Sequence, residues 1–267
     1  MRLHRSAAIL LRHFYLVRGS PARLLPLFAW VCVDVVLWGF ITRYLNAVSG
    51  SGVDFVRTLL GAVLLWDFFV RVMQGVTMAF LEDVWSRNFL NLFATPLSVP
   101  EYLAGLVTSS IATSSLGLAA MVLLATAVFG LSFFAYGLML APFLLVLFLC
   151  GIALGIVATA LVLRFGPASE WLVWPIPALL SPFAGVFYPL STLPRWMQGV
   201  ARLLPPSYVF EGMRRVVSGG AVSGTALLSG LFLAGLYLVL AGLVFGRVFR
   251  RAVQSGLLAR YSAESVS

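Results

Sequence analysis

The residues most capable of chemistry in this 267-residue chain are three charges set inside apolar stretches. Asp67 and Arg71 are four apart, so on a helix they share one face and can pair. Asp34 lies in the middle of an earlier apolar stretch. Charges at such depth face a bundle interior or a watery path, because lipid cannot solvate them. The trio therefore reads either as the lining or gate of a conduit or as an ion pair joining two helices. The structural pair is the plainer reading.

Other chemistry is absent by residue type. All 18 basic residues are Arg, so no Lys is available to reach phosphates from a Walker A loop. ATP hydrolysis by that route must come from another chain. The histidines, His4 and His13, sit together near the N-terminus, which leaves no His-containing zinc hydrolase site. No GxSxG is present. Cys32 and Cys150 fall in apolar blocks and read as small apolar residues rather than a disulfide or metal site. No catalytic, cofactor-binding or metal-ligating residue is expected.

The elements that hold these residues follow from composition. The chain is 61% hydrophobic and 10% charged, whereas soluble domains are about one-quarter charged. Its apolar residues come in blocks long enough to cross a bilayer, which takes roughly 20 residues per helix. A net charge of +9 would suit nucleic acid only if it were gathered on a soluble domain, and there is none. In a membrane protein the excess is the positive-inside signal.

An all-α membrane protein with six spans is expected, near Leu24–Leu45, Phe55–Leu81, Tyr102–Phe129, Leu138–Leu163, Trp171–Tyr188 and Leu227–Phe245. The whole chain, 1–267, reads as one membrane domain. Residues 1–23 form an interfacial segment: Leu3, Ala7, Leu10, Phe14 and Val17 make an apolar stripe, with Arg5 and Arg12 opposite to meet anionic lipid. Arg18 and the spread of charge around it argue against a cleavable signal peptide. With the N-terminus inside, 11 Arg fall on the cytoplasmic side and 6 outside, and an even number of spans puts both termini in the cytoplasm.

Two connections are more than loops. Residues 82–100 have helical apolar spacing at Trp85, Phe89, Leu90 and Phe93, stopped by Pro96 and Pro100. Residues 189–224, outside, hold two proline-started amphipathic pieces that can dip into the membrane but not span it. Gly151 and Gly155, and Gly242 and Gly246, permit close helix contact, by default inside one subunit. Thr108, Ser109, Ser110, Thr113, Ser114 and Ser115 line the third span.

These features together resemble the ABC-2 type permeases, the transmembrane subunits of ATP-binding cassette exporters with a type V-like architecture. Phe93-Ala94-Thr95-Pro96-Leu97-Ser98, with Glu101 beyond, is similar to the stretch that ends the family's coupling helix. Tyr188-Pro189-Leu190, Pro194-Arg195-Trp196, Leu204-Pro205-Pro206-Ser207-Tyr208 and Glu211-Gly212-Met213-Arg214 resemble its external signature. The chain departs from the family where the coupling segment begins Glu82-Asp83-Val84-Trp85 and where Leu204 precedes the external proline.

The resemblance implies two permease subunits forming an export path, each seated on a separate ATP-binding subunit that carries ATP and Mg. It implies a coupling surface at Glu82, Asp83, Trp85, Arg87, Phe89, Leu90 and Phe93. It implies an external gate at Pro189, Pro194, Trp196, Arg202, Tyr208, Glu211 and Arg214. It also implies a prokaryotic inner membrane and contact with lipid. The external cations read equally as interfacial anchors. A partner-free secondary transporter or channel is the alternative, and it would call for more intramembrane acids and an internal repeat. A membrane enzyme would need converging His, Asp or Glu, which the sequence does not supply.

Overall fold

The protein is described here by a computed structural model covering residues 3–19, 21–49, 54–86 and 89–256. The helices are α1 (Leu3–Arg18), α2 (Pro21–Ser49), α3 (Gly61–Trp85), α4 (Phe89–Ala94), α5 (Val99–Phe129), α6 (Leu140–Phe165), α7 (Pro175–Ala184), α8 (Arg195–Ala201), α9 (Pro205–Val217) and α10 (Gly224–Gln254). A π turn, Val56–Leu60, leads into α3, and 3-10 turns at Phe133–Met139, Pro167–Leu172 and Leu190–Thr192 precede α6, α7 and α8. Among the described residues no strand occurs.

Among the described residues five stretches are long and apolar enough to cross a membrane: Phe28–Ser49, Val56–Trp85, Val99–Phe129, Tyr136–Phe165 and Gly224–Gln254. They match five of the six expected spans. The remaining one, Trp171–Tyr188, is not a continuous helix. It consists of the Pro167–Leu172 turn and the 10-residue α7, whose helical rise is only about 15 Å. Pro175, at the first position of α7, separates it from the preceding turn because it lacks an N–H to bond back into that turn, and Gly185, held at φ 65°, ends it; Pro182 is carried inside α7. The segment nevertheless touches both ends of the bundle. Trp85 Nε1 donates to Glu170 Oε2 at 2.9 Å at one end, and Arg214 Nη2 donates to the Gly185 carbonyl at 2.6 Å at the other.

α3 is the central helix, with Phe69, Met73 and Phe80 fully buried between α5 and α6. Close approach rests on small residues. A Cβ on Gly155 would lie 2.7 Å from the Met73 carbonyl, and one on Gly151 would lie 2.9 Å from Val72. Ser110 Oγ donates to the Val72 carbonyl at 2.7 Å, which joins α5 to α3 beside Gly75. Four other hydroxyls of that row bond within α5: Thr108 to Ala104, Ser109 to Gly105, Thr113 to Ser109 and Ser114 to Ser110. Gly151 and Gly155 thus do pack helices inside the subunit. Gly242 and Gly246 have open space around them.

α5 starts at Ser98, whose backbone N–H is accepted by Glu101 Oε2 at 3.0 Å, and stops at Gly130, held at φ 69°. α1 lies across its first turns, where Ile9 fills the space a side chain on Gly105 would need.

Candidate functional site

Three groups of side chains stand out, at the two ends of the bundle and midway. At the end that carries Trp85, Arg12 of α1 is ion-paired with the carboxylate of Asp83. Tyr102 of α5 donates its hydroxyl to the same carboxylate at 2.8 Å. Asp83 and Tyr102 are fully buried. About two turns back along α1, Arg5 pairs with Glu101 at 3.3 Å and also donates to the Pro96 carbonyl. One helix therefore grips both ends of the 82–100 connection.

For α1 the structure departs from the expectation in where its arginines turn; of the expected apolar stripe Phe14 is exposed and Leu10 half-buried, while the side chains of Leu3, Ala7 and Val17 lie outside the described residues. Arg5 and Arg12 turn toward the protein, while Leu11, Phe14 and Tyr15 are exposed, at 55%, 54% and 64%. A face with two guanidiniums docks inward because two carboxylates wait there, and outward apolar residues suit a lipid surface. His13, half-buried beside this pair, has its pKa lowered from 6.5; burial is the main cause, opposed by the charge of Asp83.

The expected coupling residues divide accordingly. Asp83 faces inward and acts on α1 rather than offering a surface. Glu82 is half-buried and Trp85 is exposed at 40%. Phe89, Leu90 and Phe93 lie on α4, and Arg87 lies outside the described residues. Arg12 and Tyr102 were not picked out as site residues from the sequence. The available signal was Arg5 and Arg12 seven apart, matched by acids at either end of one loop.

Midway, Arg71 Nε donates to Asp67 Oδ2 at 2.8 Å. The stem of Arg71 rests over Gly117 of α5, where a Cβ would lie 3.1 Å from its Cδ. Asp34 of α2 has Asp67 and Arg71 as its electrostatic neighbours. The structure thus brings all three expected charges together between α2, α3 and α5.

At the opposite end, Glu211 and Arg214 of α9 lock the chain that follows α7. Glu211 Oε1 accepts the Leu190 N–H at 2.8 Å and pairs with Arg214 at 3.1 Å. Arg214 in turn holds the carbonyl of Gly185. Gly185 sits at φ 65°, and a Cβ there would lie 2.7 Å from Leu190, so glycine is required. Pro189 and Pro194 are the N-cap residues of the 3-10 turn and of α8. Trp196 is 66% exposed and meets Phe183 edge-on. Tyr208 donates to the Arg202 carbonyl at 2.7 Å. α9 dips inward far enough for Phe210 to approach Trp66, 6.1 Å between ring centroids.

Among the expected gate residues the structure joins Glu211 to Arg214 and Tyr208 to Arg202, while Trp196 packs on Phe183; no group of three or more His, Cys, Asp and Glu able to hold a metal occurs among the described residues. Compared with known families, residues 22–218 match the model described as ABC-2 type transporter. A comparison with curated proteins gives no match.

Proposed function

The chain belongs to the ABC-2 type transporter family and is a permease component of an ABC transporter, and from that premise we propose that it forms half of an export path. In this reading a second permease subunit, identical or related, completes the path, and separate ATP-binding subunits supply ATP and Mg. The cargo is a lipid, glycan, drug or other amphipathic molecule. The membrane is a prokaryotic inner membrane, with both termini in the cytoplasm and residues 1–267 forming one membrane domain.

The observation that carries the reading is the double grip of α1. Arg12 to Asp83 and Arg5 to Glu101 tie the ends of α3 and α5 and the connection between them into one body. A push on α4 or on Trp85 from a partner then moves two long helices together instead of bending a loop. Arg164, Arg247, Arg250 and Arg251 stand toward the same end, which supports placing that end in the cytoplasm. The broken segment through α7, pinned at Glu170 and Gly185, supplies the sixth crossing that brings both termini to one side.

The test is co-purification. A C-terminally tagged chain at native expression level is solubilised in mild detergent, and the co-purifying chains are identified by mass. A Walker A-bearing ATPase is expected with the native chain and lost with Trp85→Asp/Phe89→Asp. A preparation without any ATPase would overturn the reading in favour of a partner-free transporter or channel, for which the Asp34, Asp67 and Arg71 cluster would be the site to pursue.

A further inference from the structure

We propose that the outer end of the molecule holds a binding pocket for the phosphate of an anionic amphipath. The pocket lies between α9 and the first turn of α10 and has a volume of about 200 Å³. That is room for a headgroup but not for a whole lipid, since sites for complete small ligands run from about 300 Å³ upward.

Its polar lining is mostly committed elsewhere. Ser207 donates to the carbonyls of Ala201 and Leu204. Tyr208 donates to the Arg202 carbonyl. Glu211, which also lines the pocket, has its charge matched by Arg214. Two guanidiniums remain, those of Arg202 and Arg215, and neither has an ion-pair partner among the described residues. The pocket therefore carries two uncompensated positive charges.

A third source of positive potential is the start of α10. Ser223 caps it through the Ala226 N–H, and both residues line the pocket. The N-terminus of a 31-residue helix adds roughly half a positive charge there. Planar guanidiniums bind phosphate oxygens in pairs, and a helix N-terminus favours the same group. A choline or ethanolamine headgroup would bring its own cation against the two Arg, so the preferred ligand is a phosphodiester without an amine. Leu203, the residue after Arg202, and Leu228, two after Ala226, are exposed at 60% and 66% and offer the ligand's chains an apolar surface beside those lining residues in the sequence.

As an exit subsite for cargo the pocket rests on the permease reading, but as a binding site it can be measured on the chain alone. The full-length protein in detergent is titrated with dihexanoyl phosphatidylglycerol, dihexanoyl phosphatidylcholine and inorganic phosphate. Phosphatidylglycerol is expected to bind saturably and about tenfold or more tighter than phosphatidylcholine. Arg202→Gln/Arg215→Gln should weaken it by about tenfold or more, as expected for losing charged hydrogen bonds. Arg195→Gln, outside the pocket, should leave it within about twofold, and Arg202→Lys/Arg215→Lys should retain part of it.

Equal binding by the native chain and the neutral double variant, or no saturable binding, would overturn the proposal. Inorganic phosphate binding as tightly as the lipid would overturn the amphipath and leave a free-anion site. Should the double variant not fold, each single variant is expected to show an intermediate loss. Co-purification of the ATPase separates the two readings. An ATPase that binds while the pocket test fails leaves the permease standing, and its absence removes the export role whatever the pocket binds.

Discussion

Arg12 and Asp83 are ion-paired at the end of the bundle where α1 crosses the ends of α3 and α5, and Tyr102 donates its hydroxyl to the same buried carboxylate. A buried carboxylate costs several kcal/mol in desolvation, roughly offset by a close guanidinium and a hydrogen bond. Removing one partner leaves that cost uncovered. Arg12→Gln is expected to destabilise the protein by about 3 kcal/mol, and Tyr102→Phe by about 1–3 kcal/mol. Adding Asp83→Asn to Arg12→Gln should recover part of the loss. Thermal melts of the native chain, Arg12→Gln, Asp83→Asn, their double variant and Tyr102→Phe in one detergent check this; additive losses in the double variant would mean the pair does not couple.

His13 gives a pH signature. Its pKa is lowered from 6.5 in the folded chain, mainly by burial. Between that lowered value and 6.5 the unfolded chain binds a proton that the folded one refuses, so stability falls as pH drops through this window. Asp83, Glu82 and Arg12 are the charges that act on the ring, and the acids oppose the shift. His13→Gln should flatten the part of the slope below 6.5 that belongs to this group. Melting temperatures of native and variant chains between pH 5 and pH 8 measure it, and identical slopes would refute it.

The glycines of α6 and α10 should behave differently. Gly155→Leu drives a side chain into the Met73 carbonyl and Val76, and overpacking of this kind costs about 1–3 kcal/mol. Gly246→Leu enters open space and should stay within about 0.5 kcal/mol of the native chain. The comparison of their melts is the measurement.

The lock at the α9 end can be opened singly. Arg214→Gln removes the donor to Gly185 and the counter-charge of Glu211. Amide exchange at residues 185–190 should quicken by about tenfold, the equivalent of one lost hydrogen bond of about 1.4 kcal/mol. Unchanged protection there would show that Glu211 and the packing hold the turn unaided.

The direction of the chain in the membrane is open to labelling. In a background with Cys32 and Cys150 replaced by Ala, single cysteines at Thr192 and Ser218 should react with an impermeant thiol reagent in intact cells. Cysteines at Ser86 and Ser255 should react only after the membrane is opened. The reverse pattern would invert the orientation.

What the sequence disclosed divides along physical lines. Long apolar runs located α5 and α6 within a few residues, because length and hydropathy decide a span; α3 is preceded by a π turn, and α10 runs on past the expected Phe245 to Gln254 through the charged Arg247, Arg250 and Arg251. The Trp171–Tyr188 run is as apolar, and hydropathy cannot register that Pro175 breaks the hydrogen-bond ladder. Periodicity found the two faces of α1 but not which one points inward. That choice depends on Asp83 and Glu101, 71 and 89 residues beyond Arg12, and no local pattern carries it. The external motifs drew attention to Glu211 and Arg214, but the groups these hold are backbone atoms of Leu190 and Gly185, which leave no mark in residue type.

The segment through α7 behaves as a tie rod of adjustable length. It is fastened to Trp85 at one end and to Arg214 at the other. A 3-10 turn rises about 2.0 Å per residue against 1.5 Å in an α-helix. Rewinding the six residues of Pro167–Leu172 from one form to the other changes the rod by about 3 Å. A displacement of that size at Trp85 either is absorbed in this turn or arrives at the Glu211 lock, so the winding of six residues sets how stiffly the two ends of the bundle are joined.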